Sequence, residues 1–185
     1  MNLPNLITVG RLLCVPIEVY LLIEAAYMAA FVLFIVLVFS DGLDGYLAKR
    51  NGQITELGAM LDPLADKALL VSVFITLGLQ QDLPTWLVVF VVFRDLFILG
   101  GVIVLFLLQV KVRMHPLLVS KINTGVQMML VVMILAELSL KVNFDIFVTW
   151  MIYLAAVTTA ISGGAYMVSW ARRMASNGKS GELKS

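Results

Sequence analysis

The chain reads Asp41-Gly-Leu-Asp-Gly-Tyr-Leu-Ala-Lys-Arg50 at one point and, after a short polar turn, Gly58-Ala-Met-Leu-Asp-Pro-Leu-Ala-Asp66-Lys67. Four carboxylates therefore lie between positions 41 and 66 of a chain that is 61% hydrophobic. An unpaired carboxylate in hydrocarbon costs about 2.5 kcal/mol or more, so a group of four normally marks a functional site. We expect the fold to be organised around these two stretches.

The spacing of the four carboxylates predicts that they converge. On a helix, Asp41 and Asp44 lie at i, i+3 and share one face. Asp62 and Asp66 lie at i, i+4 and do the same on the next helix. Counted inward from the polar turn, Asp44 and Asp62 have a similar shallow depth. With a rise of about 1.5 Å per residue, Asp41 and Asp66 both lie about 12 to 16 Å from the polar turn, measured along their helices.

An oxygen-only cluster of this kind suits hard divalent cations. Four neighbouring anions repel one another unless positive charge lies between them, and Mg²⁺ and Mn²⁺ prefer such oxygen ligands. Two such ions can clamp a phosphoryl group during an in-line displacement. The alternative is a structural ion-pair network with Lys49, Arg50 and Lys67, although buried charge seldom offsets its own desolvation.

The motif D-x-x-D-G-x-x-A, followed at a fixed distance by G-x-x-x-D-x-x-x-D, resembles the signature of the CDP-alcohol phosphatidyltransferases. All four aspartates match in type and spacing, as do Gly45, Ala48 and Gly58. The two glycines permit close approach of a helix or a ligand. One position departs from the family: Lys49 stands where arginine is usual, which keeps a point charge for a phosphate but loses the bidentate fork.

The resemblance implies a membrane enzyme that transfers a phosphatidyl group from CDP-diacylglycerol to an acceptor hydroxyl and releases CMP. By matching the motif, Asp41, Asp44 and Asp62 become ligands of two Mg²⁺ or Mn²⁺ ions. Asp66 becomes the general base and a further ligand. The residues expected to contact substrate are Gly45, Ala48, Lys49, Gly58, Asn5, Thr8, Arg94 and Lys121.

The opening residues Asn5, Thr8 and Arg11 are similar to the family's usual N-x-x-T-x-x-R. They are interpreted either as nucleotide or phosphate contacts or as helix caps and interface anchors. This opening stretch is expected to lie along the membrane interface before the chain turns inward. It has no basic region ahead of an apolar core, so a cleaved signal peptide is not expected.

Composition predicts an all-α bundle of six transmembrane helices. The mean hydropathy of +1.00 over 185 residues predicts one membrane domain, residues 1–174, and a polar, disordered tail, residues 175–185. Each apolar segment is close to the ~20 residues needed to span a bilayer. The segments are 12–23, with the preceding turn, 28–48, 57–79, 84–109, 117–138 and 144–170.

The distribution of charge predicts the orientation. Lysine and arginine concentrate after the second and fourth segments and near the C-terminus, whereas the opposite loops contain only Lys141 beside several acids. The positive-inside rule therefore predicts cytoplasmic termini and a cytoplasmic aspartate site. The expected location is a bacterial inner membrane. The net charge of +1 argues against nucleic acid as a partner, and a single cysteine, Cys14, excludes a disulfide framework.

Two further polar groups lie within apolar segments. The pair Arg94-Asp95 is interpreted either as an interhelical tether or as a phosphate contact in the acceptor pocket. Lys121, with Asn123, Thr124 and Gln127 at helical spacing, either hydrogen-bonds a headgroup or holds helices together.

The rest of the chain resembles most the CMP-forming cardiolipin synthase branch of the family, with the phosphatidylglycerophosphate synthase branch second. The latter typically has another arginine two turns after Arg94, where this chain has Val102. Phosphatidylglycerol, a monoanionic diester with two acyl chains, needs fewer cations than glycerol 3-phosphate. We therefore expect phosphatidylglycerol as acceptor, with glycerol 3-phosphate as the alternative. Relatives are dimeric, which implies a homodimer.

Two other classes of protein fit the composition. A cation transporter would use the same carboxylates, but transporters commonly show paired repeats or broken helices, and this sequence shows neither. A purely structural membrane module would tolerate the loss of Asp66 with an effect on stability alone.

Overall fold

The computed structural model describes the backbone of residues 3–51, 56–107 and 118–182, and the side chains of residues 9–40, 65, 67–101 and 118–170. Over these ranges the chain is helical and contains no strand, which confirms the all-α prediction. The helices are α1 (Leu3–Ile23), α2 (Tyr27–Asn51), α3 (Glu56–Leu79), α4 (Thr85–Leu107), α5 (Leu118–Leu140) and α6 (Asp145–Glu182).

The first and last helices extend beyond the apolar segments expected from the sequence. α1 is continuous from Leu3, so the opening residues belong to the first helix and do not form a separate interfacial segment. Pro16 lies inside α1, where its missing N–H removes one helical hydrogen bond. α6 continues to Glu182, past residue 175, and the division into a membrane domain and a disordered tail stays a prediction. No proline interrupts α6, and extending an existing helix costs little because each residue adds a hydrogen bond.

Two of the described helices are long and apolar enough to cross a membrane, Leu118–Leu140 and Asp145–Trp170. Shorter apolar stretches occupy Tyr27–Ser40 and Lys67–Leu79. These two helices belong to the described part of the chain, and the prediction of six spans stays a prediction.

The helices pack around a shared apolar core. α1 contacts α2 and α3, α5 contacts α2 and α6, and α4 contacts α3 and α6. The largest fully buried apolar side chains are Phe34, Phe74, Leu22, Leu70, Leu77, Leu83, Leu87, Leu130 and Leu135. The outer faces are apolar too: Leu13, Phe93 and Trp150 are 67%, 65% and 71% exposed. An apolar exterior of this extent is typical of a surface that faces lipid or a partner.

Three helices end on a residue in the left-handed conformation. Ala25, Gln81 and Lys141 follow α1, α3 and α5 with φ of 54°, 68° and 54°. After α1, the N–H of Ala26 donates to the carbonyl of Leu21 at 2.9 Å, as in a Schellman cap. After α3, the N–H of Asp82 donates to the carbonyl of Leu77 at 3.0 Å in the same way. These two caps satisfy terminal carbonyls of α1 and α3 and let the chain reverse within a few residues.

α4 and α6 are in close contact where Gly101 meets Trp170. A Cβ built on Gly101 would overlap the indole ring of Trp170, which also packs on Phe97 with ring centroids 5.1 Å apart. We therefore expect Gly101→Ala to displace the indole and to destabilise the protein by about 1–3 kcal/mol. Thermal unfolding in detergent measures the loss.

Gly100→Ala is the matched control, because a Cβ at Gly100 has no heavy atom within 4 Å. Alanine favours the helix over glycine, so this variant should match or slightly exceed the wild-type unfolding temperature. Equal unfolding temperatures for the two alanine variants would show that the indole does not hold α4 and α6 together.

Candidate active site

The four motif aspartates lie on two consecutive helices. Asp41 and Asp44 belong to α2, and Asp62 and Asp66 belong to α3. The helical backbone on which the i, i+3 and i, i+4 spacings depend is therefore confirmed. Their side chains lie outside the described residues. Among the side chains that are described, no group of three or more metal-ligating residues occurs, so the two-metal site stays a prediction.

The other predicted contacts from the motifs also fall on helices. Gly45, Ala48 and Lys49 lie on α2 and Gly58 lies on α3. Asn5 and Thr8 lie in the first turns of α1. The side-chain surroundings of all these positions are outside the described part of the chain, and their roles stay predictions.

A charged cluster begins at the residue after Asp66. Lys67 Nζ of α3 lies 2.7 Å from Asp95 Oδ1 and 2.8 Å from Asp95 Oδ2 of α4. Arg94 Nη1 donates to the same Oδ1 at 2.6 Å. The side chains of Arg94 and Asp95 are nearly buried, whereas that of Lys67 is 33% exposed. One carboxylate thus binds two cations, in surroundings where charge-assisted hydrogen bonds are strong.

Arg94 also links three helices. Its Nη2 donates to Ser120 Oγ of α5 at 2.9 Å and to Ser162 Oγ of α6. The guanidinium lies 5.9 Å from the centre of the Tyr166 ring, within the range of a cation–π contact. Both terminal nitrogens are therefore engaged, and Nε is buried without a hydrogen-bond partner among the described residues. These contacts favour the tether over the phosphate contact for this arginine.

A polar seam, formed by Asn123, Gln127, Thr158 and Thr159, continues from this cluster between α5 and α6. Asn123 Oδ1 accepts from Thr158 Oγ1 at 2.9 Å and from Thr159 Oγ1 at 3.0 Å. Gln127 Nε2 donates to Thr159 Oγ1 at 3.4 Å. Such side chains hold helices together in a membrane. Of the polar residues predicted on α5, the amides thus join two helices, while Lys121 is exposed.

The seam is incompletely satisfied within the described part of the chain. Asn123 Nδ2 and Gln127 Oε1 are buried and have no hydrogen-bond partner there. An unmet buried polar group of this kind costs about 1–3 kcal/mol, so water or a ligand hydroxyl is the usual partner. The amides of α5 therefore retain hydrogen-bonding capacity close to Arg94.

Sequence reasoning missed a second buried acid. Glu18 of α1 is fully buried on the same helix face as Val15 and Leu22, and neither carboxylate oxygen has a described hydrogen-bond partner. Arg11, two turns earlier on that face, is 3% exposed. The available signal was a lone carboxylate within an apolar segment, which is expensive in a membrane interior. It was overlooked because Glu18 belongs to no motif.

A cavity of about 510 Å³ opens between the C-terminal halves of α1 and α3. Its walls are mainly apolar, with Ser72, Thr76 and Gln80 as the polar members. Nearby, burial raises the pKa of Asp82, in the turn after α3, above its ordinary value. The α3 residues that line the cavity begin at Ser72, more than one turn past Lys67, so this cavity is separate from the carboxylate motif.

Comparison with known proteins identifies relatives along most of the chain. A family model described as CDP-alcohol phosphatidyltransferase matches residues 1–162. A probable CMP-forming cardiolipin synthase of Drosophila melanogaster is 31% identical over 91% of this chain and 58% of its own length. The CMP-forming cardiolipin synthase of Rattus norvegicus is 29% identical over 89% of this chain and 60% of its own length.

A bacterial relative carries a different name. The CDP-diacylglycerol–glycerol-3-phosphate 3-phosphatidyltransferase of Bacillus subtilis is 32% identical over 89% of this chain and 93% of its own length. The chain thus spans less than two thirds of the two cardiolipin synthases and nearly all of the bacterial enzyme. The names of the relatives thus differ: two are called CMP-forming cardiolipin synthases, and the bacterial one is named for CDP-diacylglycerol and glycerol 3-phosphate.

Proposed function

The chain belongs to the CDP-alcohol phosphatidyltransferases, and from that premise we propose that it transfers a phosphatidyl group from CDP-diacylglycerol to phosphatidylglycerol, giving cardiolipin and CMP. The observation that carries the proposal is the complete aspartate signature on α2 and α3, both helical throughout the motif. Each aspartate pair therefore shares one helix face, as a joint site requires.

The donor set fits two hard divalent cations, since carboxylate oxygens at helical spacing are the ligands that Mg²⁺ and Mn²⁺ prefer. Asp41, Asp44 and Asp62, with Asp66 as a further ligand, would hold them. When bound, such ions neutralise the diphosphate and the departing CMP. Gly58 and the α2 residues Gly45, Ala48 and Lys49 bind the cytidine diphosphate, the glycines by permitting close approach.

Asp66 acts as the general base. Its carboxylate accepts the proton of the acceptor hydroxyl, and that oxygen attacks the phosphorus next to diacylglycerol. The bond from this phosphorus to the CMP oxygen breaks, and CMP leaves with the bonding electron pair. Asn5 and Thr8 are proposed as additional nucleotide contacts on α1, and Lys121 as a contact near the acceptor headgroup.

The choice of acceptor rests on how many cationic side chains can bind the acceptor's phosphate. Arg94 is already engaged by Asp95, Ser120 and Ser162, and Val102 occupies the position two turns later. A dianionic phosphate monoester needs more positive charge than a phosphodiester does. The names of the insect and rat relatives also favour cardiolipin synthesis. The second candidate, glycerol 3-phosphate as acceptor, is favoured by the bacterial relative.

We further propose six membrane spans with cytoplasmic termini and a cytoplasmic site, in a bacterial inner membrane. The two long apolar helices, the apolar exterior and the distribution of lysine and arginine support this arrangement. The exposed apolar face of α6 is available to lipid or to a second subunit of a homodimer.

The acceptor is tested by CMP release from purified protein with CDP-diacylglycerol and Mn²⁺, offering phosphatidylglycerol and glycerol 3-phosphate separately. We expect phosphatidylglycerol to support turnover at least about tenfold faster, because an unmatched phosphate charge costs more than about 1.4 kcal/mol in a partly buried site. Turnover with glycerol 3-phosphate alone would overturn the acceptor assignment and leave the donor chemistry intact. Ion flux without CMP release would indicate a transporter.

A further inference from the structure

Among the described residues, Asp95 of α4 makes an ion pair with Lys67 of α3. Both of its carboxylate oxygens bind Lys67 Nζ, while Oδ1 also accepts from Arg94. Asp95 is 8% exposed, so water competes little for these hydrogen bonds. A two-oxygen contact restricts the ammonium more than a single hydrogen bond would.

The Asp95 carboxylate is held in turn by Arg94. Arg94 joins it to Ser120 of α5 and Ser162 of α6. A Cβ built on Gly163, the residue after Ser162, would lie 3.6 Å from Arg94 Cγ, at ordinary van der Waals distance, so α6 lies against this side chain. The position of Asp95 is therefore set by three helices, α4, α5 and α6.

Lys67 directly follows Asp66, and Asp62 lies one turn earlier on the same helix. A contact that fixes Lys67 also limits the sliding and rotation of this turn of α3. From this juxtaposition we infer that Asp95 is a positioning residue, which holds α3 through Lys67 and keeps the turn with Asp62 and Asp66 in place for the reaction. This inference rests on the proposed function, which assigns those two carboxylates to the chemistry.

The expected loss is one of turnover and not of substrate affinity. Misplacing a reacting group by about 1 Å costs about 100-fold in rate. Lys67→Met and the isosteric Asp95→Asn should each lower kcat about 10- to 100-fold, with both KM values within about twofold of wild type. Asp95→Asn should be less stable because it leaves Arg94 without its carboxylate partner. Lys67→Met keeps the contacts of Arg94 with Asp95, Ser120 and Ser162, so it tests the inference without that loss.

Three comparisons separate positioning from other roles. Lys67→Arg keeps a cation at this position and should retain most of the wild-type kcat, unlike Lys67→Met. The double variant should be no slower than the slower single variant, since the two residues act as one unit. Glu24→Gln, an exposed acid in the turn after α1, is the control and should behave as wild type.

The measurements are steady-state CMP release at varied donor and acceptor, with thermal unfolding of each variant. Rates within twofold of wild type for both single variants would overturn the inference, as would a rise in acceptor KM at unchanged kcat. A fall in kcat of the double variant equal to the product of the two single falls would also overturn the inference, because it would show that the two residues act independently. Absence of CMP release from the wild type would instead refute the proposed function, so the two failures are distinguishable.

Discussion

Replacing Asp66 with asparagine is expected to reduce CMP release by a factor of about 10² to 10⁴, the usual contribution of a general base. Asparagine matches the shape of aspartate but does not accept a proton at neutral pH, and it is a poorer ligand for a hard cation. Turnover of CDP-diacylglycerol by purified protein in detergent measures the effect. Thermal unfolding should stay close to wild type.

Glu24→Gln provides the matched control, since it neutralises an exposed acid at the opposite end of α1 from the first residues of the chain. Its rate should equal that of the wild type. An active Asp66→Asn protein would remove Asp66 from the chemistry. If that variant lost only stability, the carboxylates would be structural, as in the ion-pair network considered from the sequence.

Removing divalent cations is expected to reduce CMP release to background, and adding Mg²⁺ or Mn²⁺ should restore it. Without cations, four carboxylates and a diphosphate would meet in one site with uncompensated negative charge. The rate is followed during titration with a chelator and then with either metal. Asp62→Asn should shift half-maximal activation to a higher metal concentration, because one charged ligand is lost.

Binding of the metal has a second readout that does not depend on turnover. A ligand that binds only the folded state stabilises it by about 2.7 kcal/mol at a concentration of 100 Kd, so Mn²⁺ should raise the unfolding temperature of the wild type. The shift should shrink in Asp62→Asn and persist in Glu24→Gln. Full turnover in excess chelator, with no thermal shift, would exclude the two-metal mechanism.

The helices were predictable because the signals that form them are local. Apolar runs near 20 residues mark each segment, and the positions of α2 to α5 follow them within a few residues. The family was predictable as well, because its signature lies within 26 consecutive residues and needs only type and spacing. The ends of α1 and α6 were harder, since a polar composition does not by itself end a helix.

The sequence by itself determined the helical class, the family and the pairing of aspartates at i, i+3 and i, i+4. It left two roles open for Arg94, and only the packing of the helices favoured one of them. The partners Ser120 and Ser162 lie 26 and 68 residues away, so no local pattern relates them to Arg94. Glu18 stood out in the sequence as a lone carboxylate within an apolar segment, but its burial depends on the rotation of α1 against its neighbours, which decides the face that meets the core.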